Sequence, residues 1–249
     1  MSTNARLTKM AVRKAFSGLA LCVLASAASA QSFQLPAGCT GYVTVQQRSC
    51  TVSHHFTCEG DPAGYQQRID MDEDGITFVS TIDVEAQWIE SIHVLAGYAT
   101  RLNPAPTDPA SLTNLLDNGL DTYDFVTSTE TGESTRFLGQ DALTGDKVVI
   151  DGVELLQTDY FIRAYDDAGE ELWRSAGKEF VHPEWRLFLA GKSRVTVPED
   201  SFESDDTPME FSFPGEDGFL SVKPKYGCNA VFSQLPVLPE YEEINNDHL

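Results

Sequence analysis

The stretch TYDFVTSTETGESTRFLGQ, residues 122–140, decides the fold class. Two runs rich in threonine and in β-branched or aromatic residues, TYDFVTST (122–129) and STRFLGQ (134–140), flank the short segment Glu130–Glu133. Such runs are typical of strands, and a connection that contains Gly132 is typical of a hairpin. The connection is too short for a crossover helix, so the two strands are predicted to be antiparallel.

The same pattern extends outward in both directions, with turn residues at intervals of about eight to twelve positions. Further strands are predicted at GYVTVQQ (41–47), ITFVSTIDV (76–84), KVVIDGVELL (147–156), YFIRAYD (160–166), ELWRS (171–175), MEFSF (209–213) and GFLSVK (218–223). Thr144–Asp146 and Asp166–Gly169 are predicted hairpin connections. EAQWIESIHVLAG (85–97) fits a helix or a strand, and we expect a strand because its neighbours are β-like. PEDSFESDDTP (198–208) is predicted to be an acidic loop.

One helix is indicated between the strands. Asp108 can cap it, Pro109 suits its first position and Gly119 can end it, and its apolar face is formed by Leu112, Leu115 and Leu116. We therefore predict a mainly β fold, an antiparallel meander that forms a curved sheet or a barrel, with one short helix covering an edge or an open end.

The first thirty residues have the pattern of a cleavable secretory signal. A basic start is followed by the apolar run AFSGLALCVLASAA, and Ala28–Ala30 forms a small-residue cleavage site before Gln31. The apolar run is shorter than the roughly 20 residues that span a membrane. We expect a signal peptide at 1–30, one β-rich domain at 31–233, a flexible acidic tail at 234–249, and a periplasmic or secreted protein without membrane insertion.

The charge of the chain excludes some partners. All 38 acidic residues lie after residue 30, whereas four of the 17 basic residues lie before it, so the remainder has 13 basic and 38 acidic groups and a formal charge of −25. This charge repels phosphate backbones and anionic lipids. We therefore expect no nucleic acid among the partners.

Four cysteines follow the leader: Cys39, Cys50, Cys58 and Cys228. An even number in an exported chain predicts two disulfides. The stretch CTVSHHFTC (50–58) has strand composition, which would separate Cys50 and Cys58 by about 26 Å and exclude a bond between them. Of the two remaining pairings, we expect Cys39–Cys50 with Cys58–Cys228. In the same strand His54 and His55 point to opposite faces, so the stretch is not predicted to bind zinc.

Three other features are candidate sites. DMDEDG (70–75) resembles the first half of an EF-hand loop, which makes Asp70, Asp72 and Asp74 candidate calcium ligands. The twelfth position is Thr81 instead of glutamate and the flanks are strand-like, so an acidic hairpin turn is the alternative. EFVHPEWR (179–186) places His182 near two carboxylates and could suit acid–base chemistry, although Pro183 indicates a corner. Five aromatic residues could line a pocket for a small apolar ligand or could simply form the core: Phe78, Trp88, Phe161, Trp173 and Trp185.

Residues 137–191 (FLGQDALTGDKVVIDGVELLQTDYFIRAYDDAGEELWRSAGKEFVHPEWRLFLAG) resemble a group of uncharacterised exported proteins of marine alphaproteobacteria. The resemblance implies export and a shared architecture and indicates no activity. The sequence contains no nucleophile elbow, zinc-protease motif, phosphate loop or dinucleotide fingerprint. We therefore expect a non-catalytic protein with a binding or envelope-accessory role; the alternatives are a periplasmic hydrolase that uses carboxylate or histidine chemistry and a purely structural interaction module.

Overall fold

Residues 32–228 are described by the structure, a computed structural model, and they form thirteen strands and one helix. The first six strands are β1 (Cys39–Gln47), β2 (Thr51–Cys58), β3 (Gln66–Met71), β4 (Ile76–Ile82), β5 (Trp88–His93) and β6 (Tyr98–Leu102). Helix α1 (Leu112–Asn118) follows. The remaining strands are β7 (Leu120–Thr129), β8 (Ser134–Ile150), β9 (Val153–Tyr165), β10 (Glu171–His182), β11 (Leu187–Val197), β12 (Asp200–Asp205) and β13 (Pro208–Ser212). The predicted leader and tail lie outside the described residues.

The strands form a single antiparallel sheet in the order β12 to β1 followed by β13. Consecutive strands pair from β1 through β12, and β13 returns to pair with β1 instead of with β12. The predicted antiparallel meander with one short helix is thus confirmed. Of the two predicted shapes, the barrel is wrong, because the edge strands β12 and β13 do not pair with each other and the sheet stays open.

The sheet nevertheless curls until its two edges are close together. Only Asp206 and Thr207 connect β12 to β13, so the ends of these strands lie within about 11 Å of each other. The Asp206 N–H donates to the Gly191 carbonyl at 2.9 Å, and the Arg48 N–H donates to the Thr207 carbonyl at 3.1 Å. We call Asp206 and Thr207 the seam, because they join the two ends of the sheet.

The curvature lets strands from opposite ends of the sheet share an apolar core. One buried cluster combines Val43 and Val45 of β1 with Leu155 of β9 and Phe180 of β10. A second cluster lies on β7, β8 and β9, where Tyr123, Phe125 and Phe137 pack with Ile162 and Ala164. Burying side chains this large contributes about 1.5–3 kcal/mol each.

Helix α1 ends as predicted but begins later. Ser111 is the N-cap and accepts the Asn114 N–H at 3.1 Å, and Gly119 is the C-cap with a φ of 80°. Asp108, the predicted cap, instead forms a bridge with Asp124. Leu112 and Leu115 are buried, as the predicted apolar face requires.

Four local predictions are wrong. Residues 147–156 are two strands, because Asp151 and Gly152 adopt positive φ and form a hairpin turn. Thr144–Asp146 is an irregularity within β8, and the acidic stretch 198–208 contains β12. Residues 218–223 form no strand and make only one isolated bridge, Ser221 to Ser32. In contrast, the strand predicted within 85–97 and the corner at Pro183 are confirmed.

Residues 32–228 contain two disulfides, and their predicted pairing is wrong. Cys39 is bonded to Cys58, and Cys50 is bonded to Cys228. Cys39 and Cys58 are direct partners in the β1–β2 ladder, whereas Cys50 lies beyond the other end of β1. The exclusion of a Cys50–Cys58 bond is correct, because the stretch between them is strand β2.

Candidate functional site

A row of polar side chains crosses the inner face of β7–β10. Asp121 of β7 lies directly opposite Asp141 of β8. Asp141 lies opposite Tyr160 of β9, and Tyr160 lies opposite Gly177 of β10. Partner residues in an antiparallel sheet point to the same side, so the three polar side chains form one row. Tyr123 and Phe125 are buried on the same strand as Asp121 and alternate with half-buried positions, which identifies this side as the interior.

The next row adds a third carboxylate. Glu179 of β10 is the direct partner of Thr158 of β9, two positions from Tyr160 and therefore on the same face. The charge of Glu179 raises the pKa of Asp141. The positive charge of Arg68 on β3 lowers the pKa of Glu179 and also that of His55 on β2. We call six residues the Glu179 cluster: His55, Arg68, Asp141, Thr158, Tyr160 and Glu179.

The two carboxyls of this cluster have raised pKa values. Burial raises the pKa of Glu179 from 4.5 to about 7, and the Arg68 charge opposes that rise. Burial and the neighbouring Glu179 charge hold the pKa of Asp141 well above its usual value. Within residues 32–228 neither carboxyl has a hydrogen-bond donor, so both lack the contacts that normally compensate a buried charge.

Asp121, the other acidic residue of the first row, has a structural role. Asp121 accepts the Ser111 N–H at 2.8 Å and the Asn114 side-chain amide at 3.1 Å, so it anchors the start of α1. Burial nevertheless raises its pKa. Like charges placed directly opposite each other destabilise a sheet, so the Asp121–Asp141 pair is costly when both residues are ionised.

Three buried atoms of the Glu179 cluster have no hydrogen-bond partner among the described residues: His55 Nε2, Arg68 Nε and Thr158 Oγ1. Thr158 is fully buried, and His55 is 2% exposed. Buried polar atoms are almost always paired in folded proteins. A group of unpaired atoms beside two protonatable carboxyls can offer both donors and acceptors to a small guest molecule.

Two phenols complete the surroundings. The Tyr160 hydroxyl lies 2.7 Å from Ser175 Oγ. The Tyr123 ring lies over Gly139, where an added Cβ would be 2.6 Å from the Tyr123 hydroxyl oxygen. Burial raises the pKa of both tyrosines, so both stay protonated at neutral pH and can donate hydrogen bonds.

The predicted calcium ligands do not form a group. Asp70 accepts from the Ser53 hydroxyl at 2.6 Å and pairs with Arg68 at 3.1 Å. Asp72 instead accepts the Asp74 and Gly75 N–H groups, as an acidic turn requires. In residues 32–228, only Cys50, Glu73 and Cys228 bring three potential metal ligands together, and both of these cysteines are in a disulfide.

His182 lies at the end of β10, on a hairpin corner. Its ring stacks on Trp185 with centroids 3.7 Å apart, and its Nδ1 accepts the Trp185 N–H at 3.1 Å. This local arrangement explains the histidine without a catalytic role. Glu179, from the same predicted group, belongs instead to the interior cluster.

The five aromatic residues that were candidates for one pocket are dispersed. Trp88 and Trp173 both contact Phe137, Phe78 contacts His93, and Phe161 lies beneath Arg163. Trp185 belongs to the contacts around Phe211. They therefore do not line a single apolar pocket.

The sequence-based prediction missed Asp141, Thr158 and Arg68. The signal for Asp141 was present, because extending the alternation of TYDFVTST and STRFLGQ by one residue puts Asp121 and Asp141 on the same face as Tyr123 and Phe137. No local pattern could place Arg68, which comes from another part of the sheet.

Among the described residues, no helix has the length and apolar character needed to cross a bilayer. Comparisons with models of protein families, with curated proteins and with solved structures found no match to this chain.

Proposed function

We propose that the chain is an exported, non-catalytic binding protein that holds a small polar molecule at the Glu179 cluster. The observation that carries the proposal is the set of buried, unpaired atoms on His55, Arg68 and Thr158 around a protonatable carboxyl. An interior kept for stability alone would favour apolar side chains here, because an unpaired buried polar group costs about 1–3 kcal/mol. A small apolar ligand, the sequence-based expectation, is less well supported because the aromatic residues are dispersed.

Export is the second part of the proposal. Two disulfides are consistent with an oxidising compartment, and the leader pattern at 1–30 with the resemblance of residues 137–191 to exported proteins supports the periplasm or secretion. Cell fractionation and N-terminal sequencing should find the mature chain outside the cytoplasm and beginning at Gln31. A chain recovered only from the cytoplasm, with residues 1–30 attached, would contradict this part.

The binding function is tested by native mass spectrometry of the protein purified from its own cell envelope. We expect a stoichiometric adduct of small mass that is lost on denaturation and is absent from the Glu179→Gln variant. Glu170→Gln, a surface substitution of the same type, is the control and should keep the adduct. An adduct retained by Glu179→Gln, or a wild-type protein that carries none, would oppose the proposal.

A hydrolase is the second candidate, and the pKa of about 7 at Glu179 favours it, because a general acid or base works best near the ambient pH. The test is hydrolysis of nitrophenyl esters and glycosides by the wild type and by Glu179→Gln. Hydrolysis by the wild type that is lost in Glu179→Gln would favour the hydrolase function over the non-catalytic binding function.

A further inference from the structure

We infer that the molecule held at the Glu179 cluster is a small organic cation with at least one primary ammonium group. The inference rests on the proposed binding function and adds the chemical class of the ligand.

The cluster has more acid than base. The cluster contains the two carboxyls of Asp141 and Glu179, and Asp121 lies directly opposite Asp141. Among the described residues, Arg68 is the one permanent cation whose charge acts on Glu179. The guanidinium of Arg68 is already paired with Asp70 at 3.1 Å. When Asp141 and Glu179 ionise, the described residues supply no further cation to match them, and a positively charged guest would favour the ionised forms.

Hydrogen-bond acceptors for an ammonium group lie beside these carboxyls. Thr158 Oγ1 is fully buried, has no partner among the described residues, and points to the same face as Glu179, its direct partner in the ladder. An ammonium group has three donors and no acceptor, so a carboxylate and a hydroxyl match it. The rings of Tyr123 and Tyr160 are aromatic surfaces that favour a cation.

The spacing favours an organic cation over a metal ion. A metal requires several ligand atoms around one point, and in residues 32–228 no set of three acidic or histidine side chains comes that close outside the Cys50–Cys228 disulfide. An ammonium on an alkyl chain needs one carboxylate and can reach further groups with its other end. The chain's net charge of −21 also raises the local concentration of cations.

The test is isothermal titration calorimetry with the diamine putrescine, with butanediol as the uncharged probe of similar length. We expect putrescine to bind and butanediol not to bind. Glu179→Gln should weaken putrescine binding by about tenfold or more, as expected for the loss of a charged hydrogen-bond partner. Thr158→Val should weaken it by a smaller factor, since only one neutral acceptor is lost.

The matched control is Asp159→Asn. Asp159 is adjacent to Thr158 in the strand, so it faces the other side of the sheet, where it pairs with Lys178 at 2.6 Å. The substitution makes the same change in charge outside the cluster and should leave putrescine affinity within about twofold. Equal losses in Asp159→Asn and Glu179→Gln would overturn the inference, because they would indicate a general effect of charge.

Proton release is an independent readout. Glu179 has a pKa of about 7 in the free protein, and an ammonium group favours its ionised form. Binding at pH 7 should therefore release about half a proton, seen as a binding enthalpy that depends on the ionisation enthalpy of the buffer. Butanediol binding as tightly as putrescine, or binding without proton release, would overturn the cation class.

The outcomes separate the two proposals. A neutral or anionic adduct in native mass spectrometry that is lost in Glu179→Gln leaves the binding function intact and overturns only the cation class. A protein that carries no adduct and binds neither probe overturns both proposals.

Discussion

Replacing Glu179 by glutamine should stabilise the protein above neutral pH and have little effect in acid. Glutamine keeps the shape of the side chain and removes the charge. In the unfolded chain a glutamate has its ordinary pKa of 4.5, whereas burial raises the pKa of Glu179 in the folded protein to about 7. A folded-state pKa that is raised gives stability that is present below the unfolded value and is lost as the pH rises through the folded value.

The size of the effect follows from this difference in pKa. Each pKa unit corresponds to about 1.4 kcal/mol, so a rise from 4.5 to about 7 means that the ionised glutamate costs about 3 kcal/mol at pH 8. Glutamine avoids this cost, and it also removes the charge that raises the pKa of Asp141. At pH 4.5 the glutamate is protonated in the folded chain and half protonated in the unfolded one, and below this pH it is largely protonated in both, so the two proteins should differ little.

The assay is urea unfolding at pH 4.5, 6 and 8, followed by tryptophan fluorescence. We expect the gain in the free energy of unfolding for Glu179→Gln to grow across this series towards about 3 kcal/mol. Glu170→Gln, at an exposed position, should show no such trend. A gain that does not change with pH, or a loss of stability at pH 8, would refute the reasoning that the Glu179 charge is buried without compensation.

Three further predictions concern other parts of the molecule. Burial lowers the pKa of His54 to about 4. The stability that neutral His54 contributes should therefore be present above pH 6.5 and be lost as the pH falls through 4. In urea unfolding, His54→Leu should reduce the loss of stability on the acid side of the profile. The Cys50–Cys228 disulfide spans 178 residues and the Cys39–Cys58 disulfide spans 19. In the chain-entropy model, removing the first should lower the free energy of thermal unfolding by about 2 kcal/mol more than removing the second. Equal losses would contradict that model. Millimolar calcium should leave the melting temperature unchanged, because Asp70 and Asp72 are engaged by protein partners, and a clear rise would restore the calcium hypothesis.

Local patterns were sufficient to predict most of the strands. Alternation and turn residues located the β7–β8 hairpin and the corner at Pro183, because these elements depend on neighbours in the sequence. The predictions failed where a non-local partner decides the structure. The acidic stretch 200–205 becomes a strand because it pairs with β11, and residues 218–223 form no strand although their composition suits one.

The sequence did not predict the disulfide pairing or the candidate site, for related reasons. The choice between the two remaining pairings depended on the β1–β2 register, which sets Cys39 opposite Cys58. The Glu179 cluster depends on the curvature of the sheet, which brings the charge of Arg68 on β3 within range of Glu179 on β10. Sequence alternation can show that two side chains share a face, but it does not show which distant strand that face meets.

The seam has a consequence for the order in which the chain can fold. β1 gains its second neighbour only when β13, almost at the end of the described chain, pairs Ser212 with Thr44. Until then β1 is an unprotected edge strand, and such edges pair readily with other chains. A chain translocated with its N-terminus first would therefore expose β1 for most of its passage. Closing contacts of such long sequence separation is slow, so we expect aggregation during refolding to be most severe in proteins truncated before β13.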